Sequence, residues 1–120
     1  MTAFVRKAAE DAVLREDWHE NEDGSRLLLL KYLLLERTGI VEHCFTTRLG
    51  GVSADIFSTM NLSFTRGDDP EHVRENYRRI ADSMGFLPEN MVLSQQTHTT
   101  HIYKVTEKER GMGFTKPLEY

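Results

Sequence analysis

The chain has 120 residues, 39% apolar and 28% charged, with 19 acidic against 15 basic side chains and a net charge of −4. That length allows one domain with a core of its own, while the acid excess excludes a dedicated nucleic-acid surface, which needs basic groups to displace phosphate counterions. A single cysteine, Cys44, excludes both an intrachain disulfide framework and a cysteine-rich zinc module within the chain.

The longest apolar block, residues 27–35, is interrupted by Lys31 and is too short to cross a bilayer. Arg6, Lys7, Glu10 and Asp11 occupy the positions where a signal peptide needs an apolar stretch. With a mean hydropathy of −0.49 and a pI near 5.7, a soluble cytoplasmic protein without membrane or nucleic-acid partners is expected.

In chain order, residues 3–15 place Phe4, Val5, Ala8, Ala9, Ala12 and Val13 at helical spacing, although a poorly patterned strand also fits. Asn21-Glu22-Asp23-Gly24-Ser25 is a polar turn cluster. Residues 27–30, four consecutive leucines, predict a buried strand. Residues 32–37 predict a short helical turn ended by Gly39. Residues 40–48, with Val41, Phe45, Thr46 and Thr47, predict a strand running into a Gly50-Gly51 turn.

Residues 61–65 predict another short strand. Asp69-Pro70 then announces a helix, since Asp69 can cap it and Pro70 suits the first helical position. Val73, Tyr77, Ile80, Ala81 and Met84 line one face, and Gly85 closes it. Residues 91–93 and 102–105 predict two further strands. The chain has no internal repeat and no low-complexity tract. The expected class is α+β, a layered fold with a mixed β-sheet and packed helices.

Among the histidines, His19 and His72 sit in polar surroundings and read as solvent-facing. His98 and His101 would share one face of a helix, but Thr97, Thr99 and Thr100 disfavour helix there. On an extended chain residues three apart face opposite ways, so the pair does not chelate one ion. His43 and Cys44 are adjacent and oppose each other on a strand, and Cys44 reads as a small buried hydrophobe. Arg48 followed by Gly50-Gly51 has two readings. The glycines mark a tight turn, or their backbone N–H groups and the guanidinium together receive a phosphate or carboxylate. The glycine spacing matches neither a Walker motif nor a dinucleotide fingerprint.

Four stretches in order resemble one family: residues 41–53 (VEHCFTTRLGGVS), Met60-Asn61-Leu62, Gly67-Asp68-Asp69-Pro70-Glu71 with Val73 and Asn76, and Gln96-Thr97-His98. It is the laccase-domain, or polyphenol oxidoreductase-like, family, also described as zinc-dependent purine nucleoside phosphorylases or peptidoglycan-editing factors. The resemblance runs from about residue 27 to the end. It implies that residues 27–120 are the truncated N-terminal half of that domain, with residues 1–26 an extension.

By the same resemblance, His98 looks like the first ligand of the family's metal site, with zinc expected and copper the alternative. The family's other ligands, a cysteine in Asp-Cys and a histidine in His-x-Gly-Trp-Arg-Gly, are expected beyond Tyr120. Cys44 stands where many relatives have glycine and does not replace the missing thiolate. Arg48 with Gly50 and Gly51 is the candidate phosphate site. Asn61 is a candidate for a substrate hydrogen bond or for fixing a turn, and Gln96 is a candidate pocket residue.

The activity implied is phosphorolysis of purine nucleosides with phosphate, accompanied by adenosine deamination. Copper-linked phenol oxidation and a non-catalytic binding module of the same fold are the alternatives. The isolated chain is expected to be inactive, because one histidine does not make a three-ligand site.

Overall fold

The structure, a computed structural model, describes residues 13–118. The run of leucines forms the centre of a three-stranded antiparallel sheet in the order β1-β2-β3, with β1 at Leu14–Glu20, β2 at Arg26–Tyr32 and β3 at Phe45–Thr46. Leu27, Leu28 and Leu29 are all fully buried, so both faces of β2 are covered at its middle. The register sets Trp18 opposite Leu28, Asp17 opposite Leu29 and Arg15 opposite Lys31.

Directly paired residues share a face, so one side of the sheet gathers Arg15, Asp17, His19 and Lys31. Lys31 is buried, and its ammonium is satisfied by donating to the His43 carbonyl at 2.7 Å. The polar sequence of β1 gives no alternating apolar signal, which is why sequence periodicity passes over it. Pairing with β2 along its whole length creates the strand. Residues 14–20, which fall in the stretch read from sequence as an extension, thus form an edge strand of the sheet. The helix considered for residues 3–15 lies outside the described residues except at its end, where Leu14 and Arg15 are strand.

The turn at residues 21–25 forms as the sequence predicts, with the Asn21 N–H donating to the Ser25 carbonyl at 2.8 Å and Gly24 at φ 85°. Helix α1, Leu33–Thr38, ends on Gly39 at φ 67°, a left-handed cap that glycine adopts without steric cost. The strand expected over residues 40–48 is realised only at Phe45–Thr46. Backbone groups around β3 are taken instead by side chains, as where the His43 Nε2 accepts the Tyr32 N–H at 2.7 Å and Thr47 Oγ1 donates to the Leu28 carbonyl at 2.8 Å.

Helix α2, Pro70–Met84, matches its prediction. Asp69 Oδ1 accepts the Glu71 N–H at 2.9 Å, so the expected cap is in place. Val73, Asn76, Ile80 and Ala81 are buried along one stripe. Gly85, at φ 81°, donates to the Ala81 carbonyl at 2.9 Å and stops the helix. Asp69→Ala should lower stability by about 1 kcal/mol, read as a lower urea midpoint with an unchanged denaturation slope.

The chain divides into two units, Met1–Arg79 and Ile80–Tyr120, with the division inside α2. The second unit carries little regular structure beyond the end of α2. Among the described residues its helical turns are the 3-10 segments Pro88–Asn90 and Glu107–Glu109, and a hydrogen-bonded turn follows over residues 111–116. Residues 91–93 are extended but form no strand. Two bonds tie them to the next turn, Gly111 N–H to the Met91 carbonyl at 2.8 Å and Leu93 N–H to the Met112 carbonyl at 2.9 Å. The strands expected at 61–65 and 102–105 are turn and irregular chain respectively. Asn61 folds 61–65 into a side-chain turn by accepting the Ser63 N–H, and Ile102 is 95% exposed with no sheet beside it among the described residues. The class is α+β, as expected, and every described strand pairing is antiparallel.

Candidate functional site

The first unit holds Arg48, Gly50, Gly51 and Asn61, and the second holds Gln96 and His98.

Around Arg48 the backbone is held by residues distant in sequence. The Arg48 carbonyl accepts three bonds, from the Thr59 N–H at 2.9 Å, the Met60 N–H at 3.0 Å and the Thr59 hydroxyl at 2.8 Å. The same hydroxyl accepts the Gly51 N–H at 3.0 Å. Thr59 thus bridges both ends of the turn Arg48-Leu49-Gly50-Gly51. The Gly50 carbonyl at its tip receives Asn21 Nδ2 at 3.0 Å and Arg79 Nη1 at 2.9 Å. The Arg48 side chain is exposed, and among the described residues its guanidinium has no acceptor.

Both glycines have a packing reason to be glycine. A Cβ at Gly51 would lie 2.1 Å from the Thr59 carbonyl oxygen and 2.7 Å from Asn76 Oδ1. One at Gly50, whose φ is 97°, would lie 2.3 Å from the Leu27 Cα. The pair is a close-approach device in which the Gly51 N–H is already bonded inside the fold. Of the groups that the sequence offers to an anion, the Gly51 N–H is thus engaged within the fold and the Arg48 guanidinium is exposed.

Asn76, fully buried on α2, joins this turn to the next loop. Its Oδ1 accepts the Val52 N–H at 2.8 Å, and its Nδ2 donates to Ser53 Oγ at 3.0 Å and to the Asn61 carbonyl at 2.8 Å. Ser53 Oγ donates in turn to Asp68 Oδ2 at 2.5 Å, which also receives Asn61 Nδ2 at 3.1 Å. Asn61 is brought beside the Arg48 turn by this network, and its side chain is spent on Ser63 and Asp68.

The hydroxyl of Ser53, then Asn61 and the Asp69 N–H, together with nearby His72, hold the Asp68 carboxyl below its ordinary value of 3.8. A carboxylate whose folded pKa is lowered contributes stability above the unfolded value and loses it as pH falls. The wild-type urea midpoint should therefore drop as pH falls from about 5 towards 3. In Asp68→Asn, already less stable at neutral pH, that drop should be smaller.

Arg79, with a side chain only 11% exposed, was not among the sequence candidates. It donates to Gly50, Ser25, Asp23 and Glu75, closing the 21–25 turn against the glycine turn. Hydrogen bonds from Ser25, with the Arg79 guanidinium behind them, hold Asp23 well below the usual carboxylate range. Neither Thr59 nor Arg79 carries a local pattern. Their place beside or within the motif stretches is the one sequence signal they have.

In the second unit Gln96 and His98 are exposed in irregular chain. His98 lies at φ 57°, a left-handed conformation that histidine adopts more readily than bulky or β-branched residues. His101 contacts Tyr103 rather than His98. Among the described residues no three His, Cys, Asp or Glu side chains come together as a metal site. The donors present do not by themselves fit a catalytic zinc or copper centre, since His98 offers a single imidazole. Cys44 is half-buried, and desolvation pushes its thiol pKa up against the opposing charge of Lys31, so it stays a protonated thiol near neutrality.

A cavity of about 400 Å³ lined by Lys31, Glu36, residues 39–42 and His43 contains none of the predicted site residues. Among the described residues no helix is long and apolar enough to cross a membrane.

Comparison with known proteins matches residues 42–117 to the family model described as multi-copper polyphenol oxidoreductase laccase. That range contains every predicted site residue. A purine nucleoside phosphorylase of Corynebacterium glutamicum is 39% identical over 67 residues, 56% of this chain and 27% of the relative. The crystal structure of YlmD from Geobacillus stearothermophilus superposes with a TM-score of 0.55 at 38% identity, covering 57% of this chain and 25% of that one. The crystal structure of Bacillus licheniformis protein YfiH gives a TM-score of 0.65 at 31% identity, covering 75% and 32%. The chain thus spans about a quarter of the length of the curated relatives it matches. With the family model covering most of the chain and the fold shared with two solved structures, the chain belongs to the multi-copper polyphenol oxidoreductase laccase family.

Proposed function

We propose that this chain forms part of a purine nucleoside phosphorylase acting on inosine- or adenosine-type nucleosides, and that Arg48 receives the phosphate. The observation that carries this reading is the exposed guanidinium on a turn held by Thr59, Asn21 and Arg79, in a chain whose relatives bear that enzyme's name. A planar guanidinium donates two parallel hydrogen bonds to an oxyanion. A turn fixed before binding loses little entropy when the anion arrives. Gly50 and Gly51 serve by shaping the turn, and Asn61 by bracing it. Gln96 is assigned to the nucleoside pocket.

His98 is assigned as one metal ligand, with zinc as the metal and copper as the alternative. A bound zinc would supply Lewis acidity for adenosine deamination. One imidazole is not a metal site by itself. Phenol oxidation remains the second reading, since the family's description names it.

The test is a chimera in which residues 42–117 replace the matched segment of Geobacillus YlmD, assayed for phosphate-dependent release of hypoxanthine from inosine. Retained phosphorolysis is expected, and phenol oxidation without it would favour the second reading. Loss of both with folding intact would favour a binding module. His98→Ala in the chimera should lower bound zinc and turnover together, and unchanged zinc by elemental analysis would remove His98 from the site.

A further inference from the structure

The geometry points to Thr59 as a positioning residue for anion binding: its hydroxyl locks the Arg48–Gly51 turn in the shape that presents the guanidinium to a phosphate oxyanion. This rests on the reading of Arg48 as the anion ligand. It goes further in assigning the orientation of that arginine to a side chain eleven residues away. The Thr59 Oγ1 donates to the Arg48 carbonyl at 2.8 Å and accepts the Gly51 N–H at 3.0 Å, so one atom closes the turn across its mouth. The Thr59 N–H adds a second bond to the same carbonyl at 2.9 Å.

The bonds to the Arg48 carbonyl hold the backbone from which its side chain projects. A valine at 59 preserves shape but can neither donate nor accept. The Gly51 N–H and one bond to the Arg48 carbonyl would then be released, and the turn would sample conformations in which the guanidinium faces elsewhere. A serine keeps the hydroxyl and loses only a methyl group. Valine and serine therefore separate a positioning role from plain packing.

The experiment is a titration of the full chain with inorganic phosphate at constant pH and ionic strength, followed by the amide signals of Gly51 and Val52. Wild type and Thr59→Ser should bind phosphate equally. Thr59→Val, with the β1 and β2 amide pattern retained, should bind about tenfold more weakly, the scale of one neutral intramolecular hydrogen bond lost from the closed turn. Arg48→Ala should lose the binding. If Arg48→Ala loses binding while Thr59→Val keeps it, the positioning role is overturned and the anion reading stands. If wild type binds no phosphate, or Arg48→Ala binds it as well as wild type does, the anion reading fails and the positioning role with it.

Should Thr59→Val not fold, the wild type supplies the answer through hydrogen exchange. A closed clamp and a bound anion must favour each other reciprocally. Saturating phosphate should then slow exchange of the Gly51 amide several-fold more than that of amides in β2, and equal slowing overturns the proposal.

Discussion

Asn76→Ala should be among the most destabilising single changes in the chain, lowering unfolding free energy by about 3 kcal/mol. The amide is fully buried and makes bonds to the Val52 N–H, Ser53 Oγ and the Asn61 carbonyl. Truncation leaves the Val52 N–H without its acceptor in a place remote from water, and an unmade buried bond costs more than a made one contributes. Asn76→Asp should be worse still. It keeps the acceptor for Val52 but turns a second oxygen towards the Asn61 carbonyl, where Nδ2 now donates. The carboxylate must then bury its charge or take up a proton. Urea denaturation of the two variants at neutral pH checks the order, and as pH falls the aspartate variant should gain on the alanine variant. A wild-type midpoint in Asn76→Ala would mean that α2 and the 52–61 loop are not joined through this side chain.

Gly51→Ala should cost a comparable amount, about 3 kcal/mol, at the upper end for overpacking. The new methyl would sit 2.1 Å from a backbone oxygen of Thr59, and backbone cannot swing aside as a long side chain can. The φ of Gly51 is not in the left-handed region, so the penalty is contact alone. Relief requires the Thr59 segment to move, which opens the clamp on Arg48 as well. Gly51→Ala should therefore reduce both the urea midpoint and phosphate affinity. A variant that lost affinity at unchanged stability would instead indicate that phosphate contacts this backbone directly. By contrast Arg79→Ala, which frees the Gly50 carbonyl from one of its two side-chain donors, should cost about 2 kcal/mol.

What the sequence disclosed followed from how local each cause is. Helix α2 was legible because cap, proline, apolar stripe and terminal glycine all lie within residues 69–85. Strand β2 was legible as an apolar run, and α1 by its terminal glycine. Strand β1 was not, because Arg15, Asp17 and His19 look like surface and become sheet only opposite Lys31, Leu29 and Leu27. Residues 40–48 have the composition of a strand, yet only two of them find a partner on β2. Arg48 drew notice through its glycines, whereas Thr59 and Arg79 act across 8 to 56 residues of chain and have no periodicity to betray them. The family motifs turn out to be mostly bracing. Asn61, Asp68 and Asn76 are linked by hydrogen bonds, Gly51 packs against Asn76, and Gly50 is held by Asn21 and Arg79. Arg48 in the first unit and His98 in the second, the residues proposed to meet the anion and the metal, are the exposed ones.

The most direct measurement of that division of labour is the phosphate dependence of inosine phosphorolysis in the Geobacillus YlmD chimera carrying residues 42–117, with and without Arg48→Ala. The substitution should raise the phosphate KM at least about tenfold, the scale of a charged hydrogen bond, with a smaller change in the KM for inosine. An unchanged phosphate KM would contradict the assignment of Arg48 as the anion ligand.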